Sequence, residues 1–519
     1  MRGRWLLVGL TWLVLLGLGA ALYRFVLAPR SERQLLDETS SARRTDGGRE
    51  LKLALDAFSG YCLFRSDALR TALELRGIGL ECVDDGADYA LRLRRLDSGE
   101  LPVAVFTIDA LIKACADLGK LPGTIVMLVD ESRGADALLA HRSQVPDLDA
   151  LNRTDARIVT VAGSPGETLS RVVRNTFNLS QLPMTGWSYL DTAAQVERQL
   201  TIDGAVKPYA YALWEPYVSN ALAQPNVIRL ADSSKFKGCI VDVLVVQREF
   251  LRDRADDVLE LIEAYQRALF AVRQRPAGMT EVVLADARRQ NLTLTAAQAE
   301  QLCRGLWWKN TSENYGHLGI RTGPEAGGLQ PLETMISNLI RVLLATGAIA
   351  RDPTDGQPNI LYYDRLFSQL AAKNFHPAEA GAAATSEAIR VESELRALSE
   401  AEWEQLLPVG TLTVERIVFP RGAATLLPQS EAVLRQIAQT LADCPQYYLR
   451  VNGQVAAASA ADPAVDAMNR ELALRRAAAA VEYLRQTGVS AARMHATQTS
   501  SRANSEQYTV TFLLCQLPF

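Results

Sequence analysis

Short apolar runs alternate with helix-like patterns through residues 51–129, and this alternation constrains the fold more than any other feature of the chain. Residues 51–58, LKLALDAF, have the alternating pattern of a strand. Two further apolar runs occupy residues 103–106 and 124–129, and apolar residues at helical spacing fill the intervals between the runs. Such alternation is typical of a parallel sheet with helices on its faces. We therefore expect an α/β fold whose first part is a doubly wound lobe.

A second α/β unit is indicated by residues 157–177, RIVTVAGSPGETLSRVVRNTF. This stretch contains a β-branched run, a Ser-Pro-Gly turn and a helical repeat of apolar side chains. A helix N-terminus that follows a strand offers free N–H groups to a small ligand, although plain helix capping explains the same residues. Further strands are predicted at residues 209–213 and 239–247. We expect the second lobe to span about 156–238 within a domain covering residues 50–375.

Length and composition bound the class of protein. A chain of 519 residues is too long for one compact domain. A net charge of −4 and a pI near 5.8 argue against a nucleic-acid partner. The seven cysteines and four histidines show neither CxxC nor Cys/His ligand spacing, so we predict no metal site and no cofactor. A Cys62–Cys82 disulfide in an oxidising compartment cannot be deduced from sequence.

The N-terminal residues 1–28 have the composition of a membrane segment. No charge interrupts the chain between Arg4 and Arg24, which is about the length that crosses a bilayer as a helix. A cleaved signal peptide is the competing interpretation, but the apolar run continues through residue 27 without an A-x-A site, which favours an uncleaved anchor. Residues 29–49 are predicted to be a polar linker. We expect a single-pass inner-membrane protein with the bulk of the chain in the periplasm.

The order of six segments resembles a known protein family. LDAFSGY, VFTIDALI, LVDESRGADALLA, VAGSPGETLSRVVRN, ALWEPYVSNAL and DVLVVQREFL are similar to the NMT1-like periplasmic substrate-binding proteins of the nitrate, sulfonate and taurine type. The resemblance covers about residues 50–345 and implies a two-lobe type II binding-protein fold that closes on a small solute. The ligand-binding residues that it implies are Phe58, Ser59, Gly60, Thr107, Asp109, Gly134, Ser164, Gly166, Glu167, Thr168, Trp214 and Glu215.

The charges within this set bear on the solute. If Asp109, Glu167 and Glu215 face the cleft, the site is acidic. An acidic site disfavours a bare nitrate or sulfonate unless an arginine compensates, and it favours an amine, a zwitterion or a neutral solute. A structural role is the alternative for each residue: Ser164 as a helix cap and Trp214 as interlobe core, for example.

A second compact region is predicted at residues 409–519, after a linker at residues 376–408. A strand at residues 412–419, two helices and three later strands give a βαβαββ order. The segments IVFPRGAATLLPQSEAVLRQIAQTL, YLRVNGQ and NRELALRRAAAAVEYLRQTGV resemble an OmpA-like C-terminal domain. The resemblance implies peptidoglycan binding through Arg476, with Asn469 in the same helix motif. Ala456 occupies the position of the family's Asp. Two alternatives therefore remain: the domain binds peptidoglycan, or it keeps the fold and has lost the binding site.

These features predict a non-enzymatic envelope protein. Its expected partners are a small-molecule solute and the inner membrane; peptidoglycan, an envelope protein and an ABC permease are further candidates. A structural scaffold with a vestigial cleft is the alternative. An enzyme is not expected, because the sequence shows no paired carboxylates, nucleophile motif or metal cluster.

Overall fold

The structure is a computed structural model that describes residues 49–322, 328–378, 389–390, 394–455, 463–500 and 510–518. The predicted membrane segment at residues 1–28 and nearly all of the linker at 29–49 lie outside these ranges. Within the described ranges, no helix combines the length and the apolar character that crossing a membrane requires. The predicted anchor therefore stays a prediction.

The strands form three sheets, and the first two belong to two lobes. The strands are β1 Arg49–Leu55, β2 Ile78–Asp84, β3 Val103–Thr107, β4 Gly123–Glu131, β5 Asp136–His141, β6 Arg157–Val161, β7 Trp187–Leu190, β8 Tyr209–Trp214, β9 Val227–Asp232, β10 Val241–Gln247, β11 Leu407–Thr411, β12 Tyr448–Val455, β13 Met494–Ser500 and β14 Val510–Gln516.

Both lobes have the same topology. The first sheet has the order β2-β1-β3-β10-β4 and the second has the order β7-β6-β8-β5-β9. In each sheet a single antiparallel strand is inserted beside the third parallel strand: β10 pairs antiparallel with β3 and β4, and β5 pairs antiparallel with β8 and β9. Because β5 directly follows β4 and β10 directly follows β9, the lobes exchange one strand in each direction. This is the two-lobe type II arrangement that the sequence resemblance implies.

Helices cover the sheets, as the alternating pattern predicts. They are α1 Asp67–Glu74, α2 Tyr89–Asp97, α3 Ile108–Leu118, α4 Pro165–Thr176, α5 Ala193–Asp203, α6 Tyr217–Leu222, α7 Arg248–Asp253, α8 Ala255–Arg273, α9 Gly278–Arg289, α10 Ala296–Gly305, α11 Thr311–His317, α12 Leu332–Ala345, α13 Arg365–Ala372, α14 Glu400–Gln405, α15 Pro428–Asp443 and α16 Pro463–Gln486.

The first lobe has the larger apolar core. It includes Trp308, Leu339 and Phe367, so the chain after residue 300 returns to this lobe and completes it. Trp307 and Trp308 are both buried, and the indole N–H of Trp308 donates to the carbonyl of Gly60 at 2.8 Å. Both tryptophans therefore pack in the interior of the protein.

The C-terminal region has the predicted βαβαββ order in a sheet β11-β14-β12-β13. Gly453 of β12 lies against α16 so closely that an added Cβ would stand 2.0 Å from the carbonyl oxygen of Ala473. A glycine is needed at this strand position because no side chain fits between strand and helix.

The predicted strand at residues 412–419 is wrong. The first strand of the domain, β11, lies earlier at Leu407–Thr411, and residues 413–419 are irregular. Ile417 is buried in the core, while the N–H of Val418 donates to Ser430 Oγ at 2.8 Å and this hydroxyl donates to the carbonyl of Val418 at 2.9 Å. The apolar residues pack as they would in a strand, but the Ser430 side chain makes the main-chain hydrogen bonds that a neighbouring strand would make.

The C-terminal domain packs directly on the second lobe. Phe177, Phe236 and Tyr447 form an edge-to-face triangle with centroid separations of 6.2–6.5 Å, within one apolar core that both parts share. The N–H of Asn178 donates to the carbonyl of Thr411 at 2.7 Å, and that of Leu148 donates to the carbonyl of Val409 at 3.0 Å. The domain is thus docked on the second lobe.

Candidate ligand site between the lobes

Two short connections between the lobes form a hinge, at residues 132–135 and 233–240. The hydroxyl groups of Ser132 and Ser233 are 2.8 Å apart, and the N–H of Gly134 donates to Ser233 Oγ at 2.8 Å. Gly134 has a φ of 111°, a value that favours glycine. These contacts join the two connections to each other, so the predicted residue Gly134 has a structural role in the hinge.

The predicted turn at the start of α4 forms as a capped helix N-terminus. Ser164 Oγ accepts from the N–H of Glu167 at 3.2 Å and donates to the carbonyl of Val161 at 2.7 Å. Gly166 lies against Ala212 of β8, where an added Cβ would be 3.2 Å from the alanine Cβ. Ser164 and Gly166 therefore place α4 on its own sheet, which is the structural alternative to direct ligand contact.

The first turn of α4 meets α3 of the other lobe. The hydroxyl of Thr168 donates to the carboxylate of Asp109, and Lys113 Nζ lies 3.5 Å from Glu167 Oε2. Further along α4, the Arg171 guanidinium donates to the carbonyl of Thr346 at 2.9 Å. All three contacts cross between the lobes, so the structure shows them closed against each other.

Glu167 is neutralised within this contact. The Arg171 guanidinium lies 2.6 Å from its carboxylate, and the phenol of Tyr189 donates to the same oxygen at 2.9 Å. Burial opposes ionisation, but Lys113 and Arg171 together hold the pKa of Glu167 below its usual value. Glu167 therefore adds no uncompensated negative charge to the site.

The predicted residues at the end of β1 lie beside the hinge strands. Phe58 packs edge-to-face on Tyr61 with a centroid separation of 5.2 Å, and Ser59 is half-buried in the same turn. Gly60 approaches Asp130 so closely that a Cβ on it would stand 2.7 Å from the Oδ2 atom. This turn brings a glycine, and no side chain, against the end of β4.

Trp214 and Glu215 lie at the end of β8. Trp214 is half-buried and packs edge-to-face on Tyr217 at 6.3 Å. The Glu215 carboxylate is buried and accepts from the N–H and the hydroxyl of Ser219 at 3.2 and 2.9 Å. The N–H of Glu215 donates to the carbonyl of Ala135, which connects it to the hinge.

Three buried aspartates of the hinge lie beside the predicted ligand-binding residues, and the sequence did not identify them as candidates. Asp130 lies near the end of β4, Asp136 begins β5 and Asp242 lies near the start of β10, and all three are buried. Strand pairing places Asp242 opposite both Asp130 and the predicted residue Thr107, and places Asp136 opposite Trp214. In the sequence, each of these aspartates lies where a long apolar strand meets a connection between the lobes. This position is the pattern that could have identified them.

A fully buried ion pair supports the same hinge. Lys309 Nζ lies 2.6 Å from Glu131 Oε2, and the segment around it pairs with the end of β4 through Trp307 and Lys309 main-chain bonds. Burial opposes ionisation of Glu131, but Lys309 and Arg133 lower its pKa to about 2. Across the described ranges, no group of three or more His, Cys, Asp or Glu residues is arranged to hold a metal ion.

The predicted wall-binding arginine is buried in the C-terminal domain. The Arg476 guanidinium donates to the carbonyls of Ala423 at 2.9 Å and Pro420 at 3.1 Å and lies 5.0 Å from the centroid of the Phe419 ring. Among known families, the OmpA family matches residues 418–510. The C-terminal domain is an OmpA-family domain. Asn469 is half-buried on α16 of this OmpA-family domain, and Ala456 lies outside the described residues.

Several solved structures are similar to the two-lobe part. The periplasmic aliphatic sulphonate binding protein SsuA from Escherichia coli is 17% identical over 62% of this chain and 100% of its own, with a TM-score of 0.45. The Candida albicans CA3427 gene product, described as having the generic periplasmic binding protein fold, is 14% identical over 63% and 96%, with a TM-score of 0.44. The desulfurization enzyme DSZB is 13% identical over 63% and 100%, with a TM-score of 0.39.

Comparison with curated proteins gives no match. The two-lobe assignment therefore rests on the strand order of the two sheets and on the exchanged strands β5 and β10.

Proposed function

We propose that this protein is a periplasmic solute-binding protein that captures a small molecule between its two lobes. In this proposal residues 1–28 anchor it in the inner membrane, and the OmpA-family domain contacts the cell wall or another envelope protein. The observation that carries the proposal is the hinged pair of lobes with one shared strand order, whose facing helices α3 and α4 meet at their N-terminal turns.

Capture follows from this geometry. A solute that contacts both lobes stabilises the closed arrangement relative to the open one, and its differential affinity sets how far the equilibrium moves. Thr168, which bonds to Asp109 across the lobes, and Lys113, which pairs with Glu167, are the groups that change partners when the lobes separate. The output is delivery to an ABC permease or a signal to a partner, and attachment at both ends of the chain favours sensing or local capture.

Native mass spectrometry of the full chain tests the proposal. The protein is purified without denaturation, and the spectrum is searched for a co-purified small molecule. Trp214→Ala removes a half-buried ring at the lobe junction, and Leu75→Ala, at an exposed position, is the matched control. A bound mass that persists in the control and disappears in Trp214→Ala supports capture, whereas a solute-free protein that no metabolite stabilises against heat contradicts it.

A second candidate function is an envelope scaffold with a vestigial cleft. The observation that favours it is the direct closure of the lobes through Thr168–Asp109 and Lys113–Glu167, together with the core that the OmpA-family domain shares with the second lobe. Retention on isolated cell walls by a solute-free protein would support this alternative.

A further inference from the structure

Several buried acids near the hinge have a basic partner. Glu131 pairs with Lys309 at 2.6 Å, Asp232 pairs with Arg229 at 3.0 Å and Asp56 pairs with Arg92 at 3.0 Å. Since an ionised carboxylate is costly to bury alone, such pairing is what a folded protein requires. The buried acids that lack a basic partner are therefore informative.

Five buried acids of this region have no basic partner in the described part of the chain: Asp109, Asp130, Asp136, Asp242 and Glu215. Asp130 is fully buried and Asp136 is 3% exposed. In the described part of the chain, the Oδ1 of Asp136 has no hydrogen-bond partner, and the carboxyl of Asp130 has no partner other than the carboxyl of Asp242. The Oδ2 of Asp136 accepts from Ser132 at 2.5 Å, and the nearest titratable partner of Asp130 is the Asp242 carboxyl, which also accepts from Tyr61. Carboxyl oxygens of the hinge therefore remain without a hydrogen-bond donor.

The surrounding charges add to this negative character. Burial raises the pKa of Asp136 to about 7, and the carboxyls of Asp109, Asp130 and Glu215 act in the same direction. Burial also raises the pKa of Asp130 to about 7, although Lys309 acts on it from a distance. The Lys309 ammonium donates to Glu131, and no hydrogen bond from it to Asp130 is present. At neutral pH these groups are poised to accept either a proton or a cation.

The unsatisfied carboxyls lie among the residues that the resemblance predicts to line the cleft. A Cβ added to Gly60 would stand 2.7 Å from Asp130 Oδ2, and Asp242 stands opposite Thr107 in the β3–β10 ladder. Asp136 stands opposite Trp214 in the β5–β8 ladder. Side chains of directly opposed residues in an antiparallel pair lie on the same face of the sheet. Asp130, Asp242 and Thr107 therefore lie on one face of the first sheet, and Asp136 and Trp214 lie on one face of the second. The carboxyls of Asp109, Asp130 and Glu215 are close enough to act on Asp136 electrostatically.

We infer that the interlobe site takes a solute with a positively charged ammonium group, which is held by Asp130 and Asp136 with Asp109 and Asp242 nearby. The inference rests on the proposed function, since it names the class of solute that the cleft would capture. An ammonium supplies N–H donors and a positive charge together, which these buried oxygens lack. An anionic solute without an amine would instead meet uncompensated carboxylates, at a cost in free energy.

The test is a thermal-shift and calorimetric screen of the full chain at pH 7.5. A metabolite library is divided into amines with net positive charge and anions without an amine, and each pool is added to the same protein. We expect the cationic pool to raise the melting temperature. The active amine should bind about tenfold or more weakly to Asp136→Asn, because a charge-assisted hydrogen bond is lost. Asp117→Asn, at an exposed position on α3, is the control and should bind as the wild type does.

The outcomes separate the inference from the proposed function. Stabilisation by the anionic pool alone overturns the inference and leaves solute capture intact. No stabilisation by either pool overturns both. Binding of an amine that neither Asp136→Asn nor Asp130→Asn weakens also overturns the inference, because the amine would then be recognised elsewhere. Affinity should fall at pH 5.5, where the raised pKa of both aspartates leaves them protonated.

Discussion

At the scale of single residues, a helix cap on α4 and a set of buried aspartates in the hinge define the region between the lobes. Ser164 could be predicted because a serine before Pro-Gly-Glu caps a helix through local bonds alone. Asp130 and Asp242 are 112 positions apart in number and meet only because β4 and β10 pair. Local patterns do not contain that pairing, so these acids could not be assigned to the site without the sheet topology.

The first residue-scale prediction concerns Asp136. Its pKa is about 7 in the folded protein, above the value of about 4 expected in an unfolded chain. Between these values the folded state holds a proton that the unfolded state has lost, so the free energy of unfolding should fall as pH rises from about 4 to 7. Asp136→Asn should remove this loss and make the solute-free protein more stable than wild type at pH 8, by on the order of 4 kcal/mol.

Urea unfolding of wild type and Asp136→Asn between pH 4.5 and 8 measures this difference. Asp117→Asn is the control, since its carboxylate is exposed and its removal should leave the pH profile unchanged. Parallel profiles for wild type and Asp136→Asn would show that Asp136 does not titrate in this range.

The second residue-scale prediction concerns the buried pair at the hinge. Lys309→Met leaves the Glu131 carboxylate buried without its nearest cation, and we expect a loss of about 3–5 kcal/mol in the free energy of unfolding. Lys120→Met removes one side of an exposed pair with Asp97 and should cost less than about 1 kcal/mol. Adding Glu131→Gln to Lys309→Met should recover part of the loss. A small effect in Lys309→Met would show that Glu131 is solvated in solution.

At the scale of secondary structure, periodicity predicted most strands and helices of both lobes, because each has a regular buried face. It failed at residues 412–419, where the bonds between Ser430 and Val418 replace a neighbouring strand. It also gave no sign that β5, which precedes residue 156, joins the sheet of the second lobe. Whether an apolar strand remains in its own lobe depends on long-range pairing, which periodicity does not report.

The element-scale prediction concerns the contact between α3 and α4. Thr168→Val removes the hydroxyl that bonds to Asp109 across the lobes, and Lys113→Met removes the 3.5 Å pair with Glu167. In the absence of solute, the double variant should populate more open lobes and show a larger radius of gyration in small-angle X-ray scattering. Thr201→Val, at an exposed position on α5, should scatter as the wild type does. An unchanged radius in the double variant would show that other contacts hold the lobes together.

At the scale of the whole molecule, the sequence predicted two lobes and a C-terminal domain but not how they pack together. The linker before residue 409 suggested a separate domain, yet the OmpA-family domain shares one core with the second lobe. Asp443 at the end of α15 extends the contact: its carbonyl accepts from the N–H of Lys237 at 2.8 Å and its carboxylate accepts from Asn338 of the first lobe at 3.3 Å. These contacts join surfaces that are distant in sequence. The apolar residues on each surface have the same spacing as residues of that unit's own core, so the sequence does not show that the two surfaces meet.

The whole-molecule prediction follows from this shared core. Phe177→Ala removes a fully buried ring that packs on both Phe236 and Tyr447, and it should lower the free energy of unfolding by about 3–5 kcal/mol. In calorimetry, the OmpA-family domain and the second lobe should unfold in one transition in wild type and separate in the variant. Ile202→Ala, at a position 68% exposed, is the control. Separate transitions already in wild type would contradict a cooperative interface.

If the two lobes close on a solute, the distance between the lobes must shorten when the solute binds. Spin labels are placed at two exposed positions, Leu75 of the first lobe and Ile202 of the second. Pulsed electron paramagnetic resonance then measures the distance between them in the full chain. We expect a mixture of longer and shorter distances in the solute-free protein and a shift to the shorter distance when a solute is bound. One distance that no solute alters would contradict capture and favour the scaffold.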